Sequence, residues 1–150
     1  MSFFDSLDIA ASGLTAERLR MDVTAENLAN AQTTRGPGGQ PYRRQEVVLE
    51  QAGGFGATLA GAMGAVGPGS ASGAVSGVQV AGIVSDPTPD KLVYDPGNPD
   101  ANAQGYVRMP NVNTVNEMVD LIDESRSYES DVTAMQTAKT MYTKTLDLLK

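Results

Sequence analysis

The chain has 150 residues with no cysteine and no histidine, and its 18 acidic and 11 basic side chains give a formal net charge of −7. This length predicts one domain, and the missing residue types exclude zinc clusters, disulfides and nucleophilic sites of the Ser-His-Asp or Cys-His kind. The acidic balance argues against a surface that binds nucleic acid or anionic lipid.

The first 14 residues do not show the pattern of a cleaved secretory signal. No basic residue precedes an apolar stretch, and Asp5 and Asp8 lie where such a signal would be apolar. We therefore expect no cleaved Sec signal, so that export would have to use another route.

A first helix is predicted from residue 3 to about residue 30. This stretch is rich in helix formers, lacks proline, and repeats its apolar residues with a period of 3.5. Gly13 is either a tolerated flaw or a point of close helix approach. The helix should end at Asn30, before a cluster of turn-forming residues. Its apolar stripe consists of Leu7, Leu14, Met21 and Leu28.

The middle of the chain, residues 36–111, contains short stretches rich in Val, Ile and Tyr that are bounded by turn residues. These features predict a small β element of three or four strands, the last two joined by a long irregular hairpin loop. The predicted strands cover residues 42–49, 78–84, 91–94 and 106–109.

A segment rich in glycine and alanine, residues 52–77, separates the first two predicted strands. It lies in an uncharged stretch and contains the small-xxx-small pattern of Gly56, Ala60 and Gly64, which is compatible with a transmembrane helix. Its glycine content and its few large apolar side chains favour a flexible loop instead. A short helix between Phe55 and Val66 is the third alternative.

A second, longer helix is predicted from Asn113 to Leu149, with Asn111 or Asn113 as its cap. No glycine or proline interrupts it, and Glu117 in its early turns suits the helix dipole. It carries a second apolar stripe with heptad spacing, composed of Met118, Leu121, Tyr128, Val132, Met135, Tyr142, Leu146 and Leu149.

Together these elements predict a mostly α fold with a minor β element, in which long N- and C-terminal helices pair as a coiled coil. Residues 1–35 and 112–150 would form the helical domain, and residues 36–111 the middle region with its glycine-rich loop. Helices of roughly 40 and 55 Å are too long for the middle region to cover. We therefore interpret the two stripes as an assembly seam between copies, and expect the ends of a free monomer to become helical only on incorporation.

Two blocks of sequence resemble the bacterial flagellar rod and hook proteins. The first block has SGLTAE at 12–17, ENLANA at 26–31, Thr34 and PYRR at 41–44, which together are similar to the N-terminal signature of that family. The second block is similar to a rod member of the family, and has PDKLVYDPGNP at 89–99, GYV at 105–107, MPNV at 109–112 and SRSY at 125–128.

The resemblance implies a structural subunit of the proximal rod, which polymerises through its terminal helices as part of the drive shaft around the export channel. It implies that both termini form an inner layer of a rod crossing the periplasm, and that the chain is exported by the flagellar type III apparatus without signal cleavage. The implied partners are further copies of the chain, the rod proteins FlgB, FlgF and FlgG, the basal adaptor FliE and the export apparatus. The segment 52–77 is longer than the family pattern, which leaves the shape of the outer domain open.

The family motif Asn27-Leu28-Ala29-Asn30 has two possible roles. Asn30 can shape the turn that leaves the helix through hydrogen bonds to nearby backbone, or the motif can contact a neighbouring subunit. The local role is favoured slightly, because asparagine tolerates the conformations found at helix ends.

Two other functions compete with the structural one. An enzyme could use the carboxylates of Asp120, Asp123 and Glu124, but on a helix without histidine or metal-ligand spacing these predict a solvated face. We therefore assign no catalytic residue, cofactor, metal or small-molecule substrate. A cytosolic acidic coiled-coil adaptor or secretion chaperone is the second alternative.

Overall fold

A computed structural model describes residues 3–36, 38–52 and 77–147 of the chain. The three interpretations of the glycine-rich segment concern residues 53–76, which lie outside the described residues. Within the described ranges, no helix combines the length and the apolar character needed to cross a membrane.

The two predicted helices are confirmed with nearly the expected bounds. Helix α1 spans Phe3–Ala29 and helix α2 spans Thr114–Asp147. Asn113 caps α2, because its side-chain oxygen accepts a hydrogen bond from the Val115 N–H at 3.1 Å. Capping by Asn113 fixes the point at which the chain leaves the β region and enters the second helix.

The helices pack side by side in opposite directions. Thr24 contacts Glu124, Asn27 contacts Glu117, and Gly13 lies against Asp131, so residue numbers rise along one helix as they fall along the other. Along the line where the two helices face each other, buried and half-buried residues follow steps of four and three, which is the coiled-coil period. On α1 they are Ile9, Gly13, Ala16, Arg20, Val23 and Asn27, and on α2 they are Glu117, Leu121, Glu124, Tyr128, Asp131, Met135 and Ala138.

This facing line differs from the predicted apolar seam. In α1, the four stripe residues are half-buried but lie off this line, because Leu14, Met21 and Leu28 each follow a facing residue by one position, or about 100° around the helix. In α2, three stripe residues lie on the facing line, while others point elsewhere. The stripe members Leu7, Leu14, Met21, Leu28, Leu121, Tyr128, Val132 and Met135 are half-buried, Met118, Tyr142 and Leu146 are exposed, and Leu149 lies outside the described residues.

Two small residues, Gly13 and Ala16, lie on the side of α1 that faces α2. A Cβ atom added at Gly13 would lie 3.0 Å from Oδ2 of Asp131, so the side chain of Asp131 packs directly against Gly13. The nearest atoms belong to a side chain and not to the backbone of α2, so both explanations for Gly13 stay open. Ala16, with 3% of its surface exposed, belongs to the same narrow contact.

The described part of the middle region contains four strands in two separate antiparallel pairs. Strand β1 (Gln45–Gln51) pairs with β2 (Val78–Ser85), and β3 (Lys91–Tyr94) pairs with β4 (Tyr106–Met109). The register of the first pair shifts between Val48 and Leu49, which face Gly82 and Val80, so that Ala81 is the extra residue of a β-bulge. The predicted β3–β4 hairpin with its long loop is confirmed.

Strand β1 begins three residues later than predicted because the preceding backbone has other partners. The Tyr42 N–H donates to the Thr33 carbonyl at 3.1 Å, and the Arg44 N–H donates to the side chain of Asn111 at 2.8 Å. These bonds attach the entrance of β1 to the end of α1 and to the segment that leads into α2. The start of β1 is thereby fixed beside both helices.

Candidate assembly site

A fully hydrogen-bonded asparagine lies where α1, α2 and β1 meet. Asn27 has 1% of its surface exposed. Its Oδ1 accepts hydrogen bonds from the Tyr42 hydroxyl and the Gln45 N–H, both at 2.9 Å. Its Nδ2 donates to the Gln45 carbonyl at 2.8 Å and to Oε2 of Glu117 at 3.1 Å. All four hydrogen-bonding positions of the amide are thus in use.

Glu117 is the most deeply buried charged side chain of this region, with 1% of its surface exposed. Its Oε1 accepts a charge-assisted hydrogen bond from Nε of Arg44 at 2.6 Å. That bond raises the pKa of Arg44 above its ordinary value. Burial, with smaller contributions from Glu26 and Glu117, raises the pKa of Tyr42 to about 12. Asn27, Tyr42, Arg44, Gln45 and Glu117 therefore form a continuous network, here called the polar junction.

A second buried carboxylate, Glu124, lies two turns further along α2. Thr24 donates a hydrogen bond to its Oε1 at 3.1 Å, and Nε of Arg20 lies 3.7 Å from the same oxygen. Its Oε2 is buried and has no hydrogen-bond partner within the described residues. Burial raises the pKa of this carboxyl, partly opposed by Thr24 and Arg20.

Glu124 lines a cavity of about 190 Å³ between α1, β1 and α2. The other lining residues include Arg20, Arg44 and Asp120, so the walls are mainly polar and charged. Asp120 also lies 3.6 Å from Arg44. The arrangement is suited to binding a polar or charged group rather than an apolar one.

The predicted solvated carboxylate face is therefore wrong for one of its three members. Asp123 is exposed and Asp120 is half-buried, but Glu124 has only 7% of its surface exposed. Glu117, which the sequence suggested only as a partner of the helix dipole, is buried as well. Both burials depend on partners in α1 and β1 that are distant in sequence.

The other asparagine of the family motif bonds locally. The Asn30 side chain donates to the Glu26 carbonyl at 3.0 Å and accepts from the Thr33 hydroxyl at 3.1 Å. These contacts lie at the exit of α1. Leu28 is half-buried and Ala29 is exposed. The long-range role of Asn27 was missed, and a polar residue at coiled-coil spacing from Val23 and Arg20 was the signal that could have identified it.

Large apolar side chains lie exposed on the side of α2 that faces away from α1. Val115 is 66% exposed, Met118 51%, Val119 52% and Ile122 52%, and their spacing places them on one face, here called the outer face. Near the other end of the helix, Met141 is 64% exposed, and Tyr142 and Leu146 are also exposed. The described residues contain no group of three or more acidic side chains placed to hold a metal ion.

Comparisons with known proteins relate both ends of the chain to one system. Residues 7–37 match the family model described as flagella basal body rod protein, and residues 103–148 match the model described as flagellar basal body rod FlgEFG protein C-terminal. The chain is 48% identical over 155 residues to the flagellar basal-body rod protein FlgC of Bacillus subtilis, with 100% of both chains covered. It is 46% identical over 148 residues to FlgC of Escherichia coli O6:H1, covering 99% of this chain and 98% of that one. FlgC of Borreliella burgdorferi is 41% identical over 158 residues, covering 100% and 99%.

Proposed function

The chain belongs to the FlgC family of flagellar basal-body rod proteins and is a structural subunit of the rod, and we propose that it is built into the rod through its two terminal helices. In this proposal the helix pair forms the inner layer around the export channel and the two hairpins form the outer part. The adaptor or chaperone alternative is not favoured by these relationships. We assign no catalytic role, because the relatives are rod proteins.

The observation that supports this proposal is the outer face of α2. Four large apolar side chains, each more than half exposed, form one continuous stripe along the first turns of α2. A monomeric protein rarely leaves such a stripe in contact with water, and burying it in an interface would be favourable by about 25 cal/mol per Å². We interpret the outer face as a surface that neighbouring rod subunits cover.

The half-buried seam residues suit the same function. Leu7, Leu14, Met21 and Leu28 lie off the line along which α1 meets α2 and are half-buried, so each has part of its surface left for a neighbour. In this proposal a leucine at such a position packs against another subunit. The neighbours would be further copies and, as the family implies, FlgB, FlgF, FlgG and FliE.

A charge placed on the outer face tests the proposal. Met118→Glu should abolish incorporation into the rod, because a carboxylate would be buried against a neighbour. Ser127→Glu is the matched control, since Ser127 is exposed on a different face of the same helix. Exposed Met118 is a sharper choice than half-buried Leu14 or Met135, because a glutamate there leaves the helix pair intact.

The measurement is recovery of the subunit in purified basal bodies, together with swimming in soft agar. The expected result is loss of both for Met118→Glu, with export and the circular dichroism spectrum unchanged, and normal values for Ser127→Glu. Normal motility of the Met118 variant would refute the outer face as an assembly surface.

A further inference from the structure

Charge is distributed unevenly along α2. Residues 117–124 contain four carboxylates and no basic residue, whereas residues 132–146 contain Lys139 and Lys144 and no acidic residue. The acidic part lies at the cavity and the basic part lies at the far end of the same helix. Two copies displaced along their helix axes would bring opposite charges together.

The cavity carries an excess of negative charge. Two guanidinium groups, those of Arg20 and Arg44, face five carboxylates in or beside the cavity: Glu17, Glu46, Glu117, Asp120 and Glu124. Both arginines already have partners, since Arg20 pairs with Glu17 at 3.1 Å and Arg44 with Glu117 at 2.6 Å. The side chain of Glu124 is 8% exposed, and its Oε2 has no hydrogen-bond donor among the residues that the structure describes. A buried carboxylate oxygen without a donor is costly, so the cavity favours a cationic donor from outside.

The chain offers such a donor at the distal end of α2. Lys144 is exposed and makes no ion pair or hydrogen bond with the described residues. It lies three residues after Met141, whose side chain is 64% exposed. Within one copy it cannot reach Glu124, because 20 residues of helix separate the two by about 30 Å.

We propose that the cavity beside Glu124 receives the Lys144 ammonium group of a second copy of this chain. The proposal rests on the rod function, which brings copies side by side. A volume of about 190 Å³ holds several water molecules of about 30 Å³ each, and the ammonium group with part of its stem needs a similar space. A contact from the cavity of one copy to the far end of the next is head-to-tail, so it does not close into a symmetric pair but continues from copy to copy in a ring or a helical array.

Cysteine cross-linking tests the contact directly, because the chain has no cysteine of its own. Asp120→Cys combined with Lys144→Cys places one thiol at the cavity and one at the distal end. The two positions are about 36 Å apart on one continuous helix, so any disulfide must join two copies. Glu129→Cys with Lys144→Cys is the control, since Glu129 is exposed on the side of α2 opposite Asp120 and is also too far from Lys144.

Oxidised basal bodies should yield a dimer of the 15.7 kDa subunit for the 120/144 pair and about tenfold less for the 129/144 pair. Equal yields, no dimer, or a cross-link only to a different rod protein would each overturn the proposal. As a second readout, Lys144→Glu should reduce incorporation and the added change Asp120→Lys should restore it, whereas Glu129→Lys should not. If these tests fail while Met118→Glu still abolishes incorporation, the lysine contact is wrong and the rod function stands.

Discussion

Removing the amide of Asn27 should destabilise the helix pair by several kcal/mol. Asn27→Ala deletes four hydrogen bonds to Tyr42, Gln45 and Glu117. At about 0.5–1.5 kcal/mol net for each bond, the loss is about 2–6 kcal/mol. A domain of this size is stable by only about 5–15 kcal/mol. Urea unfolding of the purified subunit, followed by circular dichroism, measures this loss.

Two further variants make the Asn27 prediction specific. Asn27→Asp keeps both accepted bonds but replaces the donor by an oxygen, close to the Gln45 carbonyl and to Oε2 of Glu117. It should destabilise the fold at neutral pH and recover partly on acidification, when the new carboxyl can donate. Asn30→Ala loses only two local bonds and should by the same arithmetic cost half as much, about 1–3 kcal/mol. Equal stability of the wild type and Asn27→Asp, or equal losses at positions 27 and 30, would refute the reasoning.

Three further results are expected. Because burial raises the pKa of Glu124 above 4.5, its ionised form weakens the fold at neutral pH, and this cost disappears as the pH falls through the raised pKa. Glu124→Gln should therefore melt at a higher temperature than the wild type at about pH 7.5, with the gap closing towards pH 4.5; a constant gap would contradict the assignment. Gly77→Ala should lower the melting temperature, since its Cβ would collide with the hydroxyl of Ser12 in α1, whereas Gly82→Ala, with open space around it, should not. In hydrogen exchange, amides of residues 139–147, which are all exposed, should exchange rapidly in the free subunit and slowly in assembled rods, while the polar junction stays protected in both. Protection of 139–147 in the free subunit would argue against ordering on assembly.

Periodicity predicted the helices well because it depends on local sequence. The 3.5-residue repeat and the lack of proline located both helices, and Val-rich stretches located the four strands. The same repeat could not identify which side of α1 faces α2. That choice depends on the partners that α2 offers to residues such as Thr24 and Asn27, which is a property of the pair of helices and not of either one alone.

The hydrophobic pattern could not predict which polar residues are buried, for a related reason. Glu117 and Glu124 read as ordinary surface carboxylates on a helix. Their burial requires Arg44, Asn27 and Thr24, which lie 73, 90 and 100 residues away from their respective partners. Only the tertiary fold supplies the donors that make these positions tolerable.

The polar junction has a mechanical consequence. Asn27 of α1 hydrogen-bonds to Gln45 at the start of β1 and to Glu117 of α2, and Glu117 in turn binds Arg44, which directly precedes β1. These bonds join β1 directly to both helices, with no hinge among these residues. Torque applied to the helix pair would therefore be transmitted to β1 without relative movement of the two. A rotating shaft assembled from such units gains torsional stiffness from each subunit as well as from the contacts between subunits.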